Sequence, residues 1–159
     1  MNNRGFTLIE LMVVVSIIAF LAVVSVPNFM RFLAKSKRAE VYMNLGAIFT
    51  AQKIHCAEHG TYSDVLAGQG GIGWQPEGYS GGGKGENFYY TYGFAGAEGK
   101  NHFTGKLETP SSQLAGLAQA SQNGFVAVAV GDIMGNGKPD IITINERNEI
   151  KIVQDALAY

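Results

Sequence analysis

The chain has 159 residues, room for one modest domain, and 47% of them are apolar. Its net charge of -1 gives no electrostatic case for nucleic acid or for an acidic partner. A single cysteine, Cys56, excludes an internal disulfide.

The apolar residues crowd the start of the chain. From Phe6 to Val26 the only charged residue is Glu10. Those roughly 21 residues make about 32 Å of helix, which matches a hydrocarbon core of roughly 30 Å. A carboxylate inside such a span costs about 2.5–3.5 kcal/mol even on lenient insertion scales, so it needs a partner. A cleaved secretory signal carries its small-residue site after the apolar core. Here Gly5 comes before it, so a cut at that point leaves the apolar helix in place.

Pro27 is the one interruption of the helical pattern, and a proline inside a helix removes a backbone bond. Beyond it Phe29, Phe32 and Leu33 continue the apolar face. Val41, Leu45, Ile48 and Gln52 then fall at i, i+4, i+7 and i+11, with Tyr42 and Phe49 beside them, the period of one buried stripe. Lys35, Lys37, Arg38 and Glu40 form a charged collar between the halves. The helix is predicted to end near Glu58–Gly60. From Phe6 it spans about 80 Å, more than a head of about 100 residues can cover. Its first half must be buried in lipid or in neighbouring subunits.

Residues Gly68–Gly85 hold nine glycines in eighteen positions and read as a long irregular connection. Trp74 and Tyr79 can pin it to the head or meet a neighbour. Phe88, Tyr90, Tyr92 and Phe94 alternate as a strand, with His102–Thr109 as its return. Ser111–Ala120 reads as a loop or a short helix. Phe125–Val130 is a further strand, and Ile141–Asn145 with Glu149–Val153 makes a terminal hairpin. Four to five short strands after one long helix predict an α+β fold, a C-terminal antiparallel sheet packed on the stripe of Val41, Leu45 and Ile48.

The stretch Arg4-Gly5-Phe6-Thr7-Leu8-Ile9-Glu10-Leu11-Met12-Val13-Val14-Val15 resembles the N-terminus of type IV prepilins. The resemblance continues through Pro27-Asn28-Phe29 and Ser36-Lys37-Arg38-Ala39-Glu40 and weakens after about residue 64. It implies cleavage between Gly5 and Phe6 and N-methylation of Phe6 by a prepilin peptidase/N-methyltransferase. The domains it implies are a leader (1–5), a transmembrane and filament-core helix (6–27), an amphipathic helix (28–59) and a globular head (60–159). Glu10 would pair with a Phe6 amine, its own or an adjacent subunit's, and fix axial register. Pro27 would mark local loss of helical bonds in the packed filament. The implied function is a homopolymeric type IV pilus subunit of no enzymatic activity. The subunit would wait as a single-pass precursor in the lipid bilayer of the inner membrane and end in a cell-surface pilus. The implied partners are a platform protein, assembly ATPases and an outer-membrane secretin. A pseudopilin of a type II secretion system shares the motif. A membrane-anchored periplasmic enzyme or binding protein is a second alternative. Many members of the family close a C-terminal loop with two cysteines, and this chain cannot. The cationic residues after the span would place the head in the cytoplasm by the positive-inside rule. The resemblance places it outside, and takes precedence.

Two further constellations carry possible chemistry. His55-Cys56-Ala57-Glu58-His59 matches H-x-x-E-H. Two histidines at i, i+4 can share a metal, but a zinc peptidase needs a third ligand from a second helix, and the segment after Gly60 is Gly-rich. Gly131–Asp140 resembles a calcium loop, with Asp132, Asn136, the Lys138 carbonyl and Asp140 as oxygen donors. Met134 stands where a carboxylate or amide belongs. The other reading is a Gly-rich turn whose Asp side chains cap backbone N–H groups. No resident cofactor is expected beyond that calcium.

Overall fold

The computed structural model describes residues 6–158. The order of elements is α1 (Leu8–His59), β1 (Thr91–Gly93), β2 (His102–Phe103), a 3₁₀ helix (Ser111–Leu114), β3 (Gln119–Ala120), β4 (Phe125–Gly131), β5 (Asp140–Asn145) and β6 (Ile150–Gln154). The strands form one antiparallel sheet in the order β2-β1-β4-β5-β6, with β3 on the start of β4. This is a pilin-like α+β arrangement. The chain divides into two compact units between Leu33 and Ala34, and α1 supplies residues to both.

In the second unit α1 presents a seam. Ala34, Val41, Leu45, Ile48, Gln52 and His55 are buried, and Arg38 fits the same alternation of four and three residues. That alternation keeps one narrow face of a helix on its partner. The apolar members join a core with Tyr90, Tyr92, Phe103, Phe125, Ala127, Ala129, Ile142 and Ile144. Period-two alternation sorts β4 between its faces. Ala127 and Ala129 turn to the helix side, while Val128 and Val130 pack with Leu114 and Ile141 in a smaller outer cluster.

The polar members of the seam are all bonded. Gln52 donates to the Ser63 carbonyl and accepts the Ser63 N–H. His55 Nδ1 lies 2.9 Å from the Thr61 carbonyl. Arg38 donates to both oxygens of Asp140, at 2.9 and 2.6 Å, and to Asp155. Asp140 is fully buried and also accepts the Tyr90 hydroxyl (2.8 Å) and the Ala156 N–H (3.0 Å). Burial and the charge of Asp140 push the Tyr90 phenol far up, so it stays a donor. Beside the seam, Glu40 accepts the Tyr89 N–H and the Tyr92 hydroxyl. These bonds join α1 to the sheet and loops of the head without a covalent link.

Two glycines make close approaches possible. A Cβ on Gly131 would lie 2.8 Å from the Tyr90 ring, and one on Gly93, at φ 124°, would lie 2.4 Å from the Asn101 carbonyl. The Gly-rich connection is pinned by its aromatics. Trp74 meets Tyr92 and Phe103 edge-on, and Tyr79 meets Phe103 at 4.7 Å. One Glu86 oxygen gathers the Ser80 N–H, the Ser80 hydroxyl and the Gly82 N–H.

The aromatic strand expected over 88–94 is regular only at Thr91–Gly93, and its return only at His102–Phe103. Gly105 packs against the Tyr89–Tyr90 backbone, where a Cβ would lie 2.4 Å from the Tyr90 carbonyl oxygen. The Lys106 and Leu107 N–H groups still bond to the Phe88 and Tyr89 carbonyls. Residues 111–120 hold both the 3₁₀ turn and the short β3. The terminal hairpin turns through Asn148 at φ 62°, a conformation Asn tolerates, with the Asn145 side chain accepting the Arg147 and Glu149 N–H groups. β6 is exposed along its length and carries a register shift opposite Ile141/Ile142.

Arg38→Ala is expected to destabilise the chain by about 3–5 kcal/mol, because it strands the buried Asp140 charge. Asp155→Ala should cost about 1 kcal/mol or less, since that carboxylate is partly exposed. Denaturant melts of the detergent-solubilised chain measure both. The Arg38 bond holds the Asp155 carboxyl below its ordinary range. A depressed carboxyl adds stability above its unfolded pKa and loses it as pH falls through the folded value. The stability gap between wild type and Asp155→Asn should therefore shrink below about pH 4.

Candidate assembly site

α1 begins with Thr7 and Glu10 closing on each other. Glu10 Oε2 accepts the Thr7 N–H at 2.8 Å and the Thr7 hydroxyl at 2.7 Å, and the Glu10 N–H lies 3.3 Å from Thr7 Oγ1. This is a capping box, T-x-x-E, in which residue and acid satisfy donors the first helical turn leaves open. The pattern stands in the sequence as Thr7-Leu8-Ile9-Glu10, and reading Glu10 only as a partner for an amine overlooks it. Both side-chain bonds fall on Oε2; Oε1 is unbonded among the described residues. Gly5 lies outside the described residues, and Phe6 is 74% exposed just ahead of the helix.

Beyond this first turn the helix covers nothing and is covered by nothing in its own unit. No large apolar side chain from Phe6 to Met30 is less than 45% exposed. α1 is long and apolar enough to cross a membrane. Such exposure forgoes about 1.5–3 kcal/mol per Val, Leu, Ile or Phe. α1 continues through Pro27. Pro27 has no N–H to offer the carbonyl one turn earlier. The Asn28 side chain reaches back to a neighbouring carbonyl, that of Val24 (3.1 Å).

The loop Gly131–Asp140 does not assemble the expected donor set. Asp132 spends one oxygen on the Asn136 N–H (3.1 Å) and the other on the Gly137 N–H (2.7 Å), and Asn136 Oδ1 accepts the Lys138 N–H. Both oxygens of Asp140 are engaged by Arg38, with Tyr90 and Ala156 as further donors. No group of three or more His, Cys, Asp or Glu residues converges for a metal among the described residues. In this arrangement Asp140 faces Arg38 while Asp132 and Asn136 cap backbone N–H groups. The loop is a capped turn, and its last acid belongs to the buried ion pair. Sequence spacing cannot show that, because Arg38 is 102 positions away.

The family profile for the prokaryotic N-terminal methylation motif matches residues 1–26. The chain is similar to the type IV major pilin protein PilA of Myxococcus xanthus, 51% identical over 76 residues, 48% of this chain and 33% of that one. It is similar to the prepilin peptidase-dependent protein D of Escherichia coli, 38% identical over 71 residues, 45% of this chain and 49% of that one. It also matches the type IV major fimbrial protein FimA of Dichelobacter nodosus, 36% identical, 43% of this chain and 50% of that one. The matched part thus spans a third to a half of those relatives' length. In its methylation motif and its N-terminal half the chain is similar to type IV pilins.

Millimolar calcium should leave the melting temperature unchanged from that in chelator. Asp132→Ala should cost about 1–2 kcal/mol in both conditions, the loss of two backbone caps. A scanning calorimeter reads both outcomes.

Proposed function

We propose that the chain is the structural subunit of a type IV pilus, cut between Gly5 and Phe6, methylated at Phe6 and polymerised through α1. The observation that carries this is the uncovered apolar helix with a carboxylate in its first turn. In the membrane lipid covers that helix, and in a filament other copies of it do. Lipid tails are as apolar as leucine, so transfer between the two is nearly neutral for the side chains. Polar pairing then decides register. Glu10 keeps Oε1 for an incoming cation while Oε2 holds Thr7. A Phe6 amine from an adjacent subunit supplies that cation, and a charge pair in a low-dielectric medium attracts far more strongly than in water. Pro27 is the weakest point of the span and the place where packing would unwind it.

This reading places the precursor in the inner membrane with its head outside and the product at the cell surface. It calls for a prepilin peptidase/N-methyltransferase, a platform protein, assembly ATPases and an outer-membrane secretin. The names of the matched relatives, type IV major pilin, type IV major fimbrial protein and prepilin peptidase-dependent protein, support the reading as a pilin subunit.

The mature chain should begin at Phe6 and carry one extra methyl group, read by mass spectrometry of sheared filaments. Gly5→Leu should leave residues 1–5 attached. Glu10→Ala should insert into the membrane at least as well as wild type yet give few or no filaments by electron microscopy. Normal filament yield from that variant would leave α1 a mere anchor.

A further inference from the structure

The last turn of α1 carries a pair of imidazoles that the assembly role does not use. His55 and His59 stand at i, i+4, on one helix face. Their rings stack with centroids 4.4 Å apart and planes 19° apart. His55 Nδ1 lies 2.9 Å from the Thr61 carbonyl, and His59 Nδ1 lies 3.2 Å from the His55 carbonyl. A carbonyl only accepts, so in each contact Nδ1 carries the hydrogen. The neutral form of each ring then has its lone pair on Nε2. An Nδ1–H held by a backbone carbonyl is the support that metal-binding histidines characteristically have, since it fixes both tautomer and ring direction.

We infer that His55 and His59 form a two-imidazole site for a borderline divalent transition metal, Zn²⁺ foremost. His55 is the fixed half, 8% exposed and locked in the seam, while His59 is exposed and held by the longer of the two carbonyl contacts, 3.2 Å. Zinc–nitrogen bonds of about 2.1 Å in tetrahedral geometry set the two Nε2 atoms roughly 3.4 Å apart, within reach of a modest rotation of the His59 ring. Nitrogen-only ligation selects Zn²⁺, Ni²⁺ or Cu²⁺ over Ca²⁺ and Mg²⁺. No third protein donor of the His, Cys, Asp or Glu type converges among the described residues, so water fills the remaining positions. The bound ion would clamp the end of α1 at the point where the chain turns into the Thr61–Ser63 segment.

The test uses the full chain in detergent, stripped of metal, titrated with zinc chloride against a chromogenic chelator. One equivalent should bind, and binding should raise the melting temperature by linkage. His59→Ala should keep the metal-free melting temperature within error and weaken zinc binding at least about tenfold. A second measurement reads the ligands directly. With Cys56→Ser as background, Cu²⁺ electron paramagnetic resonance should show coupling to two imidazole nitrogens, falling to one in His59→Ala. Absence of a stoichiometric zinc site, or the same affinity and spectrum in His59→Ala, would overturn the assignment.

Discussion

Arg38 stands on α1 close to where the helix leaves its uncovered stretch and begins its buried seam, and its guanidinium reaches both oxygens of a carboxylate with no solvent exposure. Nothing else in the head joins elements so distant in sequence so tightly. Asp140 opens β5, Tyr90 stands just before β1, and Ala156 follows β6, yet all three meet at this one ion pair. A buried pair is weak evidence of net stability, since desolvation offsets most of the attraction. It gives direction instead. Only one sliding position of helix on sheet satisfies Arg38, Asp140, Tyr90 and Asp155 together. A greasy seam alone would tolerate a slip by a turn.

The division of labour along α1 follows from that anchor. C-terminal to it, apolar seam residues meet a sheet whose helix side carries Ala127 and Ala129, small enough for close approach. N-terminal to it, the residues are equally apolar but uncovered. The same physical tendency thus stabilises the head in one stretch and leaves apolar surface uncovered in the other.

Much of this is legible in the sequence. The helix, its end near Glu58, its stripe and the terminal hairpin follow from periodicity and turn chemistry, which are local. The uncovered first half follows from length against the size of the head. The misreadings are non-local. Asp140 groups with its sequence neighbours because a loop pattern is visible and a partner on a distant helix is not. The aromatic run alternates correctly between faces, yet its regular ladder is short, and no period reports the close approach of Gly105 to the Tyr89–Tyr90 backbone. Thr7 and Glu10 are the exception. Their capping pattern is local and readable, but the cost of an acid in an apolar span makes the charge the more conspicuous signal.

The outer strands of the sheet are both blunted. One edge is β2, two residues long; the other is β6, exposed throughout, with Lys151 near its start and an irregular register against β5. Short length, a lysine and a bulge are the means by which sheets avoid adding strands from their neighbours. A subunit that associates through one segment, as proposed for α1, needs the rest of its surface to refuse. If the chain polymerises through α1 as proposed, the blunted edges would keep the heads from fusing into a continuous sheet, so that growth would stay along the helices and end when the helices stop arriving.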